Sequence, residues 1–355
     1  MMVMRTRLAV CALGAATVAF IGAAACSSQA ASTPAGSTSA AATPAGASSA
    51  AATSAGGSSA AATPASVSQV ASASHPCGTQ AEPAAYRHVI WIWMENHSSG
   101  TIVGSAQAPY LSALARECGL ATNYHNITHP SLPNYVAATS GLSYSALQGF
   151  LADCDPGAGC DTSAPSIFGQ GETWKAYEES MPSGCDPGNS GEYAVRHNPP
   201  AYYTTLPSCP SDDVPYSQLA TDLAHDQLPA FSFITPNLID DMHDGTVADG
   251  DTWLSRNLSA ILGSTEYRNG STVVFITWDE GEDGGYASGE SCATNTTDVS
   301  CHVATLVISP STQAGTRSGA LFNHYSLLAT AEQLLGLPKL GLAAASPTMT
   351  SAFNL

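Results

Sequence analysis

Basic residues are scarce in this sequence. Ten Lys and Arg stand against 28 Asp and Glu in 355 residues, a formal net charge of −18. Arg5 and Arg7 are the only charged residues among the first 75, so residues 76–355 hold 8 basic and 28 acidic side chains. That balance excludes nucleic acid as a partner, and an anionic membrane surface as well, because both are gripped by clustered Lys and Arg. It also excludes a bare Lys/Arg pocket for an anion. A phosphate bound here needs another source of positive charge. G-x-S-x-G is absent, which removes the serine-esterase nucleophile elbow. C-x-x-C is absent, which leaves a zinc cluster without its usual spacing.

No strongly apolar span is present either. Residues 8–25 are uncharged and long enough to cross a bilayer, but they are rich in Ala and Gly. With Arg5 and Arg7 before them and small residues after, they read as an export signal over residues 1–26. Its last four residues, Ala23-Ala24-Ala25-Cys26, look like a bacterial lipobox in which Cys26 becomes lipidated. Residues 27–75 are almost entirely Ala, Ser, Thr, Pro and Gly, with a near repeat of ten residues (AATPAGASSA, AATSAGGSSA, AATPASVSQV). No core can be built from them, so they read as a disordered tether with a reach of about 40 Å. Residues 76–355 are long enough for one large domain with a full core. The expected destination is the cell surface, as a lipoprotein, or the medium, with membrane contact only through the N-terminal lipid.

Eight cysteines follow the leader, an even number that fits disulfides in an oxidising compartment. Pairing of neighbours along the chain gives Cys77–Cys118, Cys154–Cys160, Cys185–Cys209 and Cys292–Cys301 as the expected set, which would staple the loops.

Apolar, β-branched runs at residues 87–94, 231–235, 272–278 and 303–309 predict strands. Helical patterns lie near residues 108–117, 133–139, 216–225, 251–261 and 325–335. The alternation predicts an α/β fold with a mostly parallel central sheet and helices on both faces. Chemistry in such folds sits beyond the carboxyl ends of the strands. There the sequence places Glu95-Asn96-His97, then residues 236–244 with Asp240, Asp241 and His243, then Asp279-Glu280. Converging carboxylates repel unless a cation or shared protons intervene, so a divalent metal is expected with Glu95, Asp279 and Glu280 among its ligands. Glu282 and Asp283 read as solvated surface.

Ser131-Leu132-Pro133-Asn134 suits the first turn of a helix. A Ser at that point can hold phosphate against the free N–H groups and attack it once activated. His129, His197, His243 and His324 sit in unusual polar settings. As imidazolium ions they would supply the missing positive charge and give better activity in mild acid.

The segments MENHS (94–98), NYHNITHPSLPNY (123–135), WKAYEESMP (174–182), RHNP (196–199), FSFITPNLIDDMHD (231–244), FITWDEGE (275–282) and NHYSLLATAEQLLGLPKLG (323–341) are collinear. Together they resemble the phosphoesterase family of secreted acid phosphatases and bacterial phospholipases C, related to the alkaline-phosphatase superfamily. The resemblance implies an alkaline-phosphatase-like fold and a phosphate-ester substrate hydrolysed through a phosphoserine at Ser131. It implies metal ligation by Glu95, Asn96, Ser131, Asp279 and Glu280, substrate contacts from Asn96, Asn134 and His324, and catalytic roles for His129, His197 and His243. One divalent ion is implied. Glu280, where metal-rich relatives carry His, and the short Asp241–His243 spacing leave a second open. An acid phosphatase acting on monoesters is the expectation. The alternatives are a phospholipase C or other phosphodiesterase, and a non-catalytic surface-tethered binding lipoprotein.

Overall fold

Val89-Ile90-Trp91-Ile92-Trp93 offers no polar residue to turn toward water. In the computed structural model of the protein it forms the core of strand β1 (His88–Met94), buried from Val89 to Met94. The structure describes residues 75–157, 159–282 and 291–355. The segments expected to be an export signal (1–26) and a tether (27–75, apart from His75), and Asp283, lie outside them.

Among the described residues nine further strands follow: β2 (Gly119–Ala121), β3 (Tyr124–His125), β4 (Trp174–Glu178), β5 (Asp213–Pro215), β6 (Phe231–Thr235), β7 (Thr272–Trp278), β8 (Thr305–Ile308), β9 (Arg317–Ser318) and β10 (Phe322–Asn323). Eight of the strands form one sheet in the order β5-β4-β6-β1-β7-β8-β2-β9, while β3 and β10 pair separately. Neighbours in the large sheet run parallel except at β8, which is antiparallel to both β7 and β2. The mostly parallel sheet expected from the sequence is therefore present, and β6 and β7 have the expected bounds.

Strands β4 and β5 escaped the sequence pattern because charged residues interrupt them. Lys175 of β4 is tolerated because its Nζ meets Asp222 Oδ2 at 2.5 Å. Glu178 is tolerated at the strand end, where Thr235 donates to it at 3.3 Å.

The longer helices are α1 (Pro109–Glu117), α2 (Ser131–Ser140), α3 (Ser217–Ala224), α4 (Val247–Leu262) and α5 (His324–Leu334). Successive side chains of β1 point to opposite faces. Trp93 meets Tyr135 of α2 and His324 of α5, so those helices cover one face. Met94 points to the other face, where α4 carries Gly250. A Cβ there would come within 2.9 Å of Met94 Cε. The Asp251 carboxylate of α4 accepts the Tyr110 and Leu111 N–H groups at 3.1 and 2.8 Å, tying the free start of α1 to it.

Helix α2 is buried on all sides. Tyr135 and Ala138 face the main core, while Leu132, Val136 and Ala137 face a second apolar cluster with Phe150, Tyr193, Tyr202 and Tyr325. It stops at Gly141, whose φ of 72° is the left-handed cap glycine adopts readily. Disulfides join Cys77–Cys118, Cys154–Cys160, Cys185–Cys209 and Cys292–Cys301. Among the described residues no helix is long and apolar enough to cross a membrane.

Candidate active site

Strands β6, β1 and β7 are neighbours in the sheet, so the residues that follow them share one edge. Glu95 follows β1, and Asp279-Glu280 follows β7. Asn96 takes a φ of 56°, a left-handed conformation that Asn tolerates better than most residues. Its N–H meets Asp279 Oδ1 at 3.1 Å. Past β6 the chain turns at Met242, with a φ of 82°, and the Asp241 carbonyl accepts the Glu95 N–H at 2.8 Å. That bond draws Asp241 across to the same centre. After Glu280 the chain passes Ser98 and Ser300 so closely that a Cβ at Gly281 would lie 2.4 Å from Ser98 Oγ.

Ser131 opens α2 with its hydroxyl aimed at this edge. Its Oγ is 3.2 Å from Glu95 Oε2 and 3.5 Å from Glu280 Oε1. Tyr135, one turn further along α2, donates its hydroxyl to Glu95 Oε1. The Tyr135 ring stacks on His197, with centroids 5.5 Å apart and planes 14° from parallel. His197 Nε2 lies 3.3 Å from Glu95 Oε1, and its Nδ1 lies 3.2 Å from Asp241 Oδ2. His129 Nδ1 lies 2.7 Å from Glu280 Oε2.

Four carboxyl groups are thus buried together. Burial pushes Glu95 well above its usual range, and the charges of Asp279 and Asp241 push it further. Glu280 is raised by burial and then by Asp279, and Asp241 likewise. Asp279 is pushed up to about 7, chiefly by burial. Carboxylates held this way want a cation. Asp279 Oδ2, Asn96 Oδ1 and His197 Nε2 are buried and without a hydrogen-bond partner. A Glu95 oxygen and one ring nitrogen each from His197 and His243 lie within 4.8 Å of one another. Hard oxygen donors with added imidazole fit a divalent metal ion, and His197 Nε2 adds a nitrogen to the oxygen set expected from the sequence. The other two clusters of potential ligands are built on disulfide cysteines, which present no thiolate.

Three of the expected site residues have their polar atoms engaged within the protein. Asn134 is buried, with Oδ1 accepting from Ile127 N at 2.9 Å and Thr128 N at 3.1 Å, and Nδ2 donating to Thr128 O and Pro130 O. It shapes its own loop and has no atom left for a substrate. His324 donates from Nε2 to the Asp279 carbonyl at 2.7 Å and uses Nδ1 on the Tyr124 hydroxyl, so it supports β7 from behind. His129 is fully buried, with Nδ1 on Glu280 and Nε2 3.2 Å from Ser300 Oγ, so it positions Glu280.

Burial works against the imidazolium form at three of the four histidines. Burial lowers His129 and His324 to about 4 and His197 well below its ordinary value, and the Arg196 charge lowers His197 further. The start of α2 is also partly capped. The Leu132 N–H is taken by Asp153 Oδ1 at 2.9 Å, and Pro133 has none.

Two residues at this edge were not singled out in the sequence: Tyr135 and Asp153. For Tyr135 the signal was available, since it follows Ser131 by four residues and so shares its helix face. For Asp153 no local signal exists.

The chain is similar to known proteins in sequence and in fold. The family model described as the phosphoesterase family matches residues 92–338. A phosphatidylinositol-3-phosphatase of Mycobacterium tuberculosis is 30% identical over 272 residues, 76% of this chain and 83% of that protein. A phosphate-repressible acid phosphatase of Penicillium chrysogenum is 29% identical over 72% of this chain, which spans 61% of that relative's length. Among solved structures, the phosphonate monoester hydrolase of Agrobacterium radiobacter superposes with a TM-score of 0.51 at 15% identity, covering 76% of this chain and 77% of that one. Murine ectonucleotide pyrophosphatase/phosphodiesterase 5 gives 0.52 at 11% identity, covering 72% and 96%. At such identities these two likenesses are of fold.

Proposed function

The chain belongs to the phosphoesterase family, and from that premise we propose that it is an exported, metal-dependent acid phosphatase that hydrolyses phosphate monoesters through a phosphoserine at Ser131. The observation that carries this reading is the Ser131 hydroxyl at the head of α2, within 3.5 Å of carboxylates delivered by β1 and β7. The names of the related phosphatases favour monoesters over diesters.

In this reading Glu95, Asn96, Asp279 and Glu280 would hold a divalent ion, with Asp241 and His197 close enough to complete its surroundings. Such an ion supplies neutralisation of the carboxylates and Lewis acidity toward phosphoryl and hydroxyl oxygens. Ser131 Oγ attacks phosphorus in line with the ester oxygen, which leaves with its electron pair. The Ser131 proton passes to a neighbouring carboxylate, with Glu95 Oε2 at 3.2 Å the closest acceptor. Tyr135 and His129 keep Glu95 and Glu280 aimed at that hydroxyl. Water then cleaves the phosphoserine and releases phosphate. Residues 1–26 are proposed to direct export and residues 27–75 to tether the domain. The four disulfides support an oxidising destination.

Ser131→Ala tests the reading. It should abolish hydrolysis of p-nitrophenyl phosphate while the protein still folds, and the wild-type protein quenched during turnover should carry phosphate on Ser131 by mass spectrometry. Near-wild-type turnover in the variant would remove Ser131 from the mechanism.

A further inference from the structure

The site just described gathers four buried carboxyl groups, and the start of α2 is partly capped by Asp153, so a phosphate dianion needs positive charge from elsewhere in the chain as well as from a metal ion. One cation stands over it. Arg196 immediately precedes His197 in the turn Val195–His197, and its charge acts on Glu95, Asp241 and Asp153. Among the described residues it is in no ion pair. Its recorded partner is a ring nitrogen: Arg196 Nη2 lies 2.9 Å from His243 Nε2. A guanidinium can only donate, so His243 Nε2 accepts, and the imidazole proton sits on Nδ1. From there it is donated to Asp244 Oδ1 at 2.7 Å. Asp244, His243 and Arg196 therefore form a directed chain that spends one of five guanidinium donors and orients the rest. Other basic side chains are engaged elsewhere. Lys175 is on Asp222, Arg268 on the Ser264 carbonyl and Arg317 on the Cys118 and Thr316 carbonyls.

We propose that Arg196, aimed by His243 and Asp244, grips the non-bridging oxygens of the substrate phosphoryl group and biases the site toward dianionic monoesters over monoanionic diesters. This rests on the monoesterase reading. His243 becomes a positioning residue here, in place of the catalytic role expected from the sequence. A planar fork facing phosphate can donate two parallel hydrogen bonds, and a diester, with one charged oxygen fewer, gains less from them.

The test uses the metal-loaded protein and three variants: Arg196→Gln, Arg196→Lys and Asp244→Asn. Binding of inorganic phosphate is read by calorimetry, and kcat and KM are read for p-nitrophenyl phosphate and bis(p-nitrophenyl) phosphate. Arg196→Gln should weaken phosphate binding and raise the monoester KM by roughly 10- to 100-fold, with kcat changed far less. Its diester kcat/KM should move little. Arg196→Lys should recover part of the loss, as a point charge without the fork. Asp244→Asn should weaken phosphate binding by a few-fold through loss of aim alone. Arg196 lies outside the core, so folding of the variants is checked by circular dichroism. Should the Gln variant not fold, the Lys variant carries the same comparison. A phosphate Kd within about twofold of wild type in the Arg196 variants, with wild-type monoester activity intact, overturns this inference and leaves the monoesterase reading standing. A wild-type protein that neither binds phosphate nor cleaves the monoester overturns both.

Discussion

Tyr135→Phe isolates what one hydroxyl does for the site. The ring is fully buried between Trp93 and His197, and Phe keeps those contacts. What is lost is the donor to Glu95 Oε1, leaving His197 as the neighbour of that oxygen. A hydrogen bond to a charged group contributes about 2 kcal/mol, and more is at stake when the acceptor stays buried. At about 2–4 °C per kcal/mol for a domain of this size, the melting temperature should fall by roughly 4–8 °C. Glu95 also loses its aim at Ser131, so kcat/KM for p-nitrophenyl phosphate should drop by about 10- to 100-fold, mostly in kcat. Tyr203→Phe is the control. That hydroxyl contacts Thr139 Oγ1 at 2.7 Å and the Val136 carbonyl, on the same helix but away from the carboxylates. It should cost about 1 kcal/mol of stability and leave kcat/KM alone. The pair is compared by calorimetric scanning and steady-state kinetics. Equal kinetics in the two variants would refute the view that Tyr135 acts through Glu95.

Exhaustive chelation should abolish activity and lower the melting temperature. Adding back a divalent ion at about 100 times its Kd should restore roughly 2.7 kcal/mol. Full turnover by a protein shown to be metal-free by elemental analysis would count against the cation. A second acidic pair gives a pH dependence. Asp213 is pushed up to about 8 and Glu178 well above its usual range, both chiefly by burial, with Asp213 adding repulsion at Glu178. Because the native state holds protons that the unfolded chain has released above about pH 4, their contribution is complete in acid. It is lost as pH rises through the native values, by up to about 1.4 kcal/mol per pH unit for each proton. Urea midpoints measured from pH 5 to 8.5 should fall less steeply in Asp213→Asn than in the wild type. Parallel curves would contradict the assignment.

The sequence by itself determined the frame. Buried strands such as β1, β6 and β7 must be continuously apolar, so their bounds and the acids at their ends, Glu95 and Asp279-Glu280, are visible in one dimension. The helix start at Ser131 is visible for the same local reason. Neighbour pairing of the eight cysteines was also the simplest reading of their spacing. What the sequence could not decide was how each polar atom is spent. Asn134 and His324 look free as letters, yet their hydrogen bonds go to a loop backbone and a strand carbonyl. Asp241 looks like one acid among several until Met242 turns the chain and brings it to His197. Arg196 and His243 stand 47 residues apart and meet only in the fold. Periodicity records which side of an element faces the core, because burial is a property of each residue in turn. Hydrogen-bond and charge partners are properties of pairs far apart in the chain, and those are fixed only when the strands converge.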